Sequence, residues 1–101
     1  MIVYAVELEM DAALREEYLP WLQDHVAEML ALPGFLGADI LERMDPPPPE
    51  GYLTIAVHYR LRDQAAWEDY LSHHAPRMRD IGLRRFGERV RASRQVFRQF
   101  A

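Results

Sequence analysis

The sequence predicts an α+β domain of the ferredoxin-like kind, with strands and helices in the order βαββαβ. Three observations carry that prediction. Four segments read as strands, two of them with apolar residues at alternate positions, and two segments between them carry apolar residues at helical spacing. The two helical segments share a signature: Tyr18, Trp21 and His25 in the first, Trp67, Tyr70 and His74 in the second. At about 3.6 residues per turn, positions i, i+3 and i+7 fall on one helix face. The chain thus reads as one strand–helix–strand unit written twice.

Ile2 to Glu9 places Ile2, Tyr4, Val6 and Leu8 on one face and Val3, Ala5, Glu7 and Glu9 on the other, a half-buried strand. Asp11 is placed to cap a helix reaching about Leu30, with Leu14, Tyr18, Trp21, Leu22, His25, Val26 and Met29 on its inner stripe. Pro20 lies inside that pattern and is expected to kink or restart the helix. Pro33-Gly34-Phe35 ends it and leads into a second strand, about Leu36 to Met44.

The run Pro46 to Pro49 supplies no backbone donors and stiffens the chain, so it is expected to form a rigid loop between strands rather than a proline-rich recognition ligand. Tyr52 to Leu61 is the third strand, with Leu53, Ile55, Val57, Tyr59 and Leu61 on one face. Asp63 caps a second helix, which Pro76 interrupts after Ala75 and which resumes through Met78, Ile81 and Phe86 to Gly87. Glu88 to Phe100 forms an arginine-rich fourth strand. The result is a single domain over residues 1–101, with halves 2–44 and 51–100 joined by the Pro46–Pro49 loop.

In this topology the sheet is antiparallel in the order 4-1-3-2, with both helices on one face. The other face carries Thr54, Ala56, His58 and Arg60 beside apolar neighbours, too apolar to leave bare and too polar for a sealed core. Pairing two such faces in a homodimeric barrel resolves the conflict, which assigns His58 and Arg60 to dimer contacts.

Composition excludes several chemistries. Cysteine, lysine and asparagine are absent, so thiolate metal sites, disulfides and Schiff-base lysines are excluded. Ser72 and Ser93 are the only serines and lie in no nucleophile motif. There is no Gly-rich phosphate loop, no apolar run of membrane length and no basic region ahead of an apolar leader, which predicts a cytoplasmic protein without a membrane span. The formal net charge is −4. Residues 1–59 hold two arginines against eleven carboxylates, and residues 60–101 hold ten against five. A basic half can bind nucleic acid. Strand three, however, lacks an aromatic RNA-reading motif, the whole is acidic, and Arg91 or Arg94 is expected to pair with Glu7 or Glu9 across the ladder; nucleic acid is disfavoured.

His25 and His74 are the candidate acid/base residues, since histidine titrates near neutral pH. Each also has the plainer reading of a core-edge histidine held by a neighbouring carbonyl or carboxylate. Tyr18, Trp21, Trp67 and Tyr70 are the candidate walls of a ligand pocket, or equally a solid aromatic core. No metal site is expected: His73 and His74 point about 100° apart on a helix, and no third ligand has metal spacing.

Several pieces resemble an uncharacterised bacterial family, a domain of unknown function found in short proteins. They are Met1-Ile2-Val3-Tyr4, the aromatic helix up to His25, Gly51-Tyr52, and above all His74-Ala75-Pro76-Arg77-Met78-Arg79 and Arg85-Phe86-Gly87-Glu88-Arg89. More distantly the layout is similar to the dimeric α+β barrel superfamily, which includes antibiotic-biosynthesis-type monooxygenases, haem-degrading oxygenases and muconolactone-type isomerases. That resemblance implies a small-molecule site between helices and sheet. It does not extend to the haem degraders, which use an asparagine on the first strand where this chain has Glu7 and Glu9. The expected function is therefore small-molecule binding by a homodimer, without a cofactor. The alternatives are a cofactor-independent monooxygenase- or isomerase-type enzyme using His25 or His74, and a purely structural dimer.

Overall fold

The computed structural model describes all residues from Met1 to Ala101. Strand β1 (Ile2–Asp11) ends at Asp11, whose Oδ1 accepts from the Ala13 N–H at 2.8 Å and caps a short 3-10 turn, Ala12–Leu14. That turn feeds helix α1 (Arg15–Leu30). Helix α1 does not restart at Pro20 but runs through it. Pro20 and Glu16 are both exposed, so the Glu16 carbonyl that loses its N–H partner can turn to water.

Strand β2 spans Phe35–Glu42, one residue earlier at its start and two shorter at its end than the alternation predicts. Arg43 still donates its N–H to the Thr54 carbonyl at 3.0 Å, and then the prolines, having no donors, stop the ladder. The turn before β2 requires glycine. Gly34 has φ +83°, and a Cβ there would stand 2.4 Å from that of Ala66. Strand β3 is Tyr52–Leu61, as predicted.

Helix α2 (Gln64–His73) is capped by Asp63, whose Oδ1 accepts from the Ala66 N–H at 2.9 Å. That bond holds the Asp63 carboxyl below its usual range. Helix α3 (Ala75–Phe86) follows directly, and the break falls at His74, one residue before the place the sequence suggested. Pro76 then sits in the first turn of α3, where its missing N–H has no helical acceptor to lose. A 3-10 turn, Gly87–Arg89, leads into β4 (Val90–Arg98), shorter at both ends than expected.

All strand pairs are antiparallel and the order is β2-β3-β1-β4, the predicted order read from the opposite edge. Register pairs Tyr4 with Tyr59, Val6 with Val57 and Leu8 with Ile55, so these residues share one face. That face is buried under the helices. Tyr18, Leu22, Val26 and Met29 of α1, Ala66 and Tyr70 of α2, and Ala75, Met78 and Phe86 of α3 close over it. Burying each large side chain stabilises the fold by about 1.5–3 kcal/mol relative to exposure, which is what selects this register over a one-residue slip.

No helix covers the other face; Thr54 is fully buried there, but Leu41, Tyr52 and Phe97 remain 44%, 50% and 50% exposed. Arg43 pairs with Glu7, and Arg60 with Asp39 at 2.7 Å. The expected pairing of Arg94 with Glu7 or Glu9 does not form. Arg94 lies opposite Val6 and so points to the helix side, while Glu7 is on the open side. Arg91 does lie opposite Glu9, yet the ion pairs of the structure include neither. No helix is long and apolar enough to cross a membrane.

Candidate functional site

The helices do not close completely on the sheet. A cavity of about 80 Å³ remains where β1, β3 and β4 meet all three helices. Its floor is Tyr4, Val6 and Leu8 of β1 with Val57 and Tyr59 of β3; its walls are Tyr18, Trp21, Leu22, His25 and Met29 of α1, with Tyr70 of α2. Met78, Arg79 and Gly82 of α3 and Arg94 of β4 complete it. A water takes about 30 Å³ of liquid, and drug-sized pockets run to roughly 300–1,000 Å³. This space suits a few waters or one small ring.

His25 follows Trp21 by one helical turn, which lays the imidazole flat on the indole at 4.8 Å between ring centroids and 11° between planes. Trp21 is itself held edge-on by Phe86 at 5.1 Å and tilted against Tyr18 at 5.5 Å. Nδ1 of His25 is buried without a hydrogen-bond partner. Burial pulls the imidazole below its ordinary pKa, opposed by the charge of Glu28, so the ring is neutral at neutral pH. The ring lines the cavity, and its Nδ1 is left unpaired.

The remaining walls are phenols. Tyr4 lies 5.7 Å from Tyr59 and 5.6 Å from Tyr70 by ring centroid, and Tyr70 packs edge-on to Phe35. Burial pushes the hydroxyls of Tyr18, Tyr59 and Tyr70 up from their usual range. The charge of Arg94 opposes this at Tyr18, and those of Arg79 and Arg94 oppose it at Tyr70. Tyr70 donates only to the Met29 sulfur, at 3.8 Å. The Tyr4 hydroxyl accepts from Arg94 Nε at 3.1 Å and Arg79 Nη2 at 3.4 Å.

Of the sequence-predicted residues, the fold brings Tyr18, Trp21, His25 and Tyr70 to one cavity. Trp67 stands outside it, packed on Tyr4 at 4.7 Å and Tyr70 at 5.8 Å. His74 also stands outside, because the helix breaks at that residue and the i+7 spacing no longer places it on the face of α2. Its Nδ1 lies 3.0 Å from Arg77 Nη2, and its Nε2 lies 3.9 Å from Asp69 Oδ2. Tyr4, Arg79 and Arg94 line the cavity and were not among the candidates. Strand alternation already put Tyr4 on the inner face; the position of Arg94 depends on register with β1, which no local pattern encodes. No group of three or more carboxylate or imidazole side chains is arranged to hold a metal.

A four-stranded antiparallel sheet with all helices on one face, and a small aromatic cavity between them, defines an α+β protein of the ferredoxin-like kind. More particularly, the chain belongs to the family described as Domain of unknown function (DUF4286), whose model matches residues 1–100. No curated protein matches the sequence. Among solved structures it is similar to SnoaB, a cofactor-independent oxygenase from Streptomyces nogalater, with TM-score 0.68, 16% identity, and 99% of this chain and 94% of that one covered. A protein described as an antibiotic biosynthesis monooxygenase from Deinococcus radiodurans aligns with TM-score 0.72 and 13% identity, over 100% and 94% of the two chains. MhuD, a heme-degrader from Mycobacterium tuberculosis seen with two hemes in its active site, aligns with TM-score 0.70 and 19% identity, over 100% and 97%. At these identities the likeness establishes the fold.

Proposed function

We propose that this protein is a cytoplasmic homodimer that binds a small molecule in the cavity between helices and sheet. The observation that carries this reading is His25 Nδ1. A buried polar atom left unpaired costs about 1–3 kcal/mol, and a ligand hydrogen-bonded to it removes that cost. The flat aromatic walls of Tyr18 and Trp21 supply contact area beside it. The dimer is supported by the open sheet face, where half-exposed Leu41, Tyr52 and Phe97 form apolar surface among charged residues.

A thermal-shift panel of one-ring aromatic compounds tests the binding reading. At least one compound should raise the Tm in proportion to its occupancy, and the rise should vanish in Trp21→Ala. A panel with no rise, or one that persists in the variant, contradicts it.

A second reading, cofactor-independent oxygenase or isomerase chemistry, is favoured by the same histidine. A neutral imidazole with a free nitrogen is a base ready to take a proton from an acidic carbon or phenol. His25 suits this better than His74, whose Nδ1 already faces Arg77. The discriminating variant is His25→Gln, which keeps hydrogen bonding but cannot titrate: an enzyme loses turnover, whereas a binder keeps most of its affinity.

Haem does not fit the residues present. The cavity is about 80 Å³, far below porphyrin size.

A further inference from the structure

Six of the twelve arginines face a carboxylate: Arg15, Arg43, Arg60, Arg62, Arg84 and Arg85. Arg79 and Arg94 do not. They come from α3 and β4, and both direct a guanidinium N–H to one oxygen, the Tyr4 hydroxyl. The carboxylate next in sequence to Arg79, Asp80, is taken by Arg84 at 2.6 Å. Two cations thus converge on one phenol hydroxyl at the edge of an aromatic cavity, with no carboxylate between them. Like charges so placed repel. The arrangement is relieved by an anion with two acceptor oxygens, and guanidinium forks match carboxylates in geometry.

Resting on the reading of this cavity as a ligand site, we propose that Arg79 and Arg94 form its anion-binding end and that its ligand is a small planar carboxylate. The ring lies against Trp21 and Tyr18, and the carboxylate meets the two guanidinium groups. The volume of about 80 Å³ limits the flat part to about one ring.

Benzoate and its neutral counterpart benzyl alcohol test this, with the Trp21 indole N–H resonance as reporter. Benzoate should move that resonance saturably and bind about tenfold or more tightly than benzyl alcohol, with added salt weakening benzoate alone. In the double variant Arg79→Gln, Arg94→Gln, benzoate should fall to the affinity of benzyl alcohol, whose own binding is unchanged. Both arginines are exposed, so the fold should tolerate the change; Arg79→Lys, Arg94→Lys should keep part of the preference. Equal binding of the two probes by the unaltered protein, or a preference that survives the double glutamine variant, overturns the anion assignment and leaves the cavity reading standing. If neither probe moves the Trp21 resonance, the cavity reading itself fails, and the carboxylate assignment with it.

Discussion

Gly82 faces the edge of the Trp21 indole with no side chain between them: a Cβ at Gly82 would stand 3.2 Å from Trp21 Cη2. Gly82 lies inside α3, where alanine is favoured over glycine by up to about 1 kcal/mol. The glycine therefore sits against local propensity, and what it provides is room for Trp21 at the cavity wall.

Gly82→Ala should pit the gain in helix propensity against a contact that obliges the indole to shift by a few tenths of an ångström. We expect a stability change within about 1 kcal/mol and a displaced Trp21 indole N–H resonance, with that of Trp67 moved less. An undisturbed Trp21 resonance would mean that the indole is not pressed against α3.

His25 gives the protein an acid-side dependence with a defined sign. Its folded pKa lies below the ordinary 6.5, so the unfolded chain binds the proton more readily. The stability linked to neutral His25 is complete above 6.5 and is lost as pH falls through the folded value. Between about pH 7.5 and about pH 5, the unaltered protein should lose more Tm than His25→Gln. Parallel losses in the two proteins would show that the imidazole is not desolvated.

The buried phenols act at the other end of the scale. Tyr18, Tyr59 and Tyr70 have folded pKa values raised above the ordinary 10.0, chiefly by burial. Their contribution is present below 10.0 and is lost as pH rises beyond it, because the unfolded chain gives up these protons first. Phenolate absorbance from these three should appear together with loss of helix signal, not before it. Ionisation of all five tyrosines in the intact fold would contradict the enclosure described for the cavity.

Phe97 tests the dimer. It lies opposite Val3 on the open sheet face, half-exposed and away from the helices. Phe97→Asp should leave the fold within about 0.5 kcal/mol, as surface changes do, yet place a charge within the proposed contact. Sedimentation should give twice 11.9 kDa for the unaltered chain and 11.9 kDa for the variant. The same mass for both would remove Phe97 from the interface.

The strands and the sheet order were legible because burial imposes period two on β1 and β3, and because the two halves repeat. Pro20 did not restart α1, since an exposed proline can be carried within a helix when water takes the freed carbonyl. The aromatic–aromatic–histidine repeat offered six residues for one pocket, and the fold brought four of them, Tyr18, Trp21, His25 and Tyr70, to the cavity. The break at His74 removed the second histidine from the inner face, and Trp67 became packing for Tyr4 and Tyr70. Arg79 and Arg94 stayed hidden for a different reason: they meet at Tyr4 only through the pairing of β4 with β1 and the fold-back of α3. Both are contacts between distant segments, at separations of 75 and 90 residues.

The central claim is that the space between helices and sheet holds a small molecule. Its most direct test is mass spectrometry of the compounds released on denaturing protein purified under native conditions, beside Gly82→Leu, whose added side chain occupies that space. The account expects a compound carried by the unaltered protein and lost from the variant. No such compound, or one retained equally by both, would contradict it.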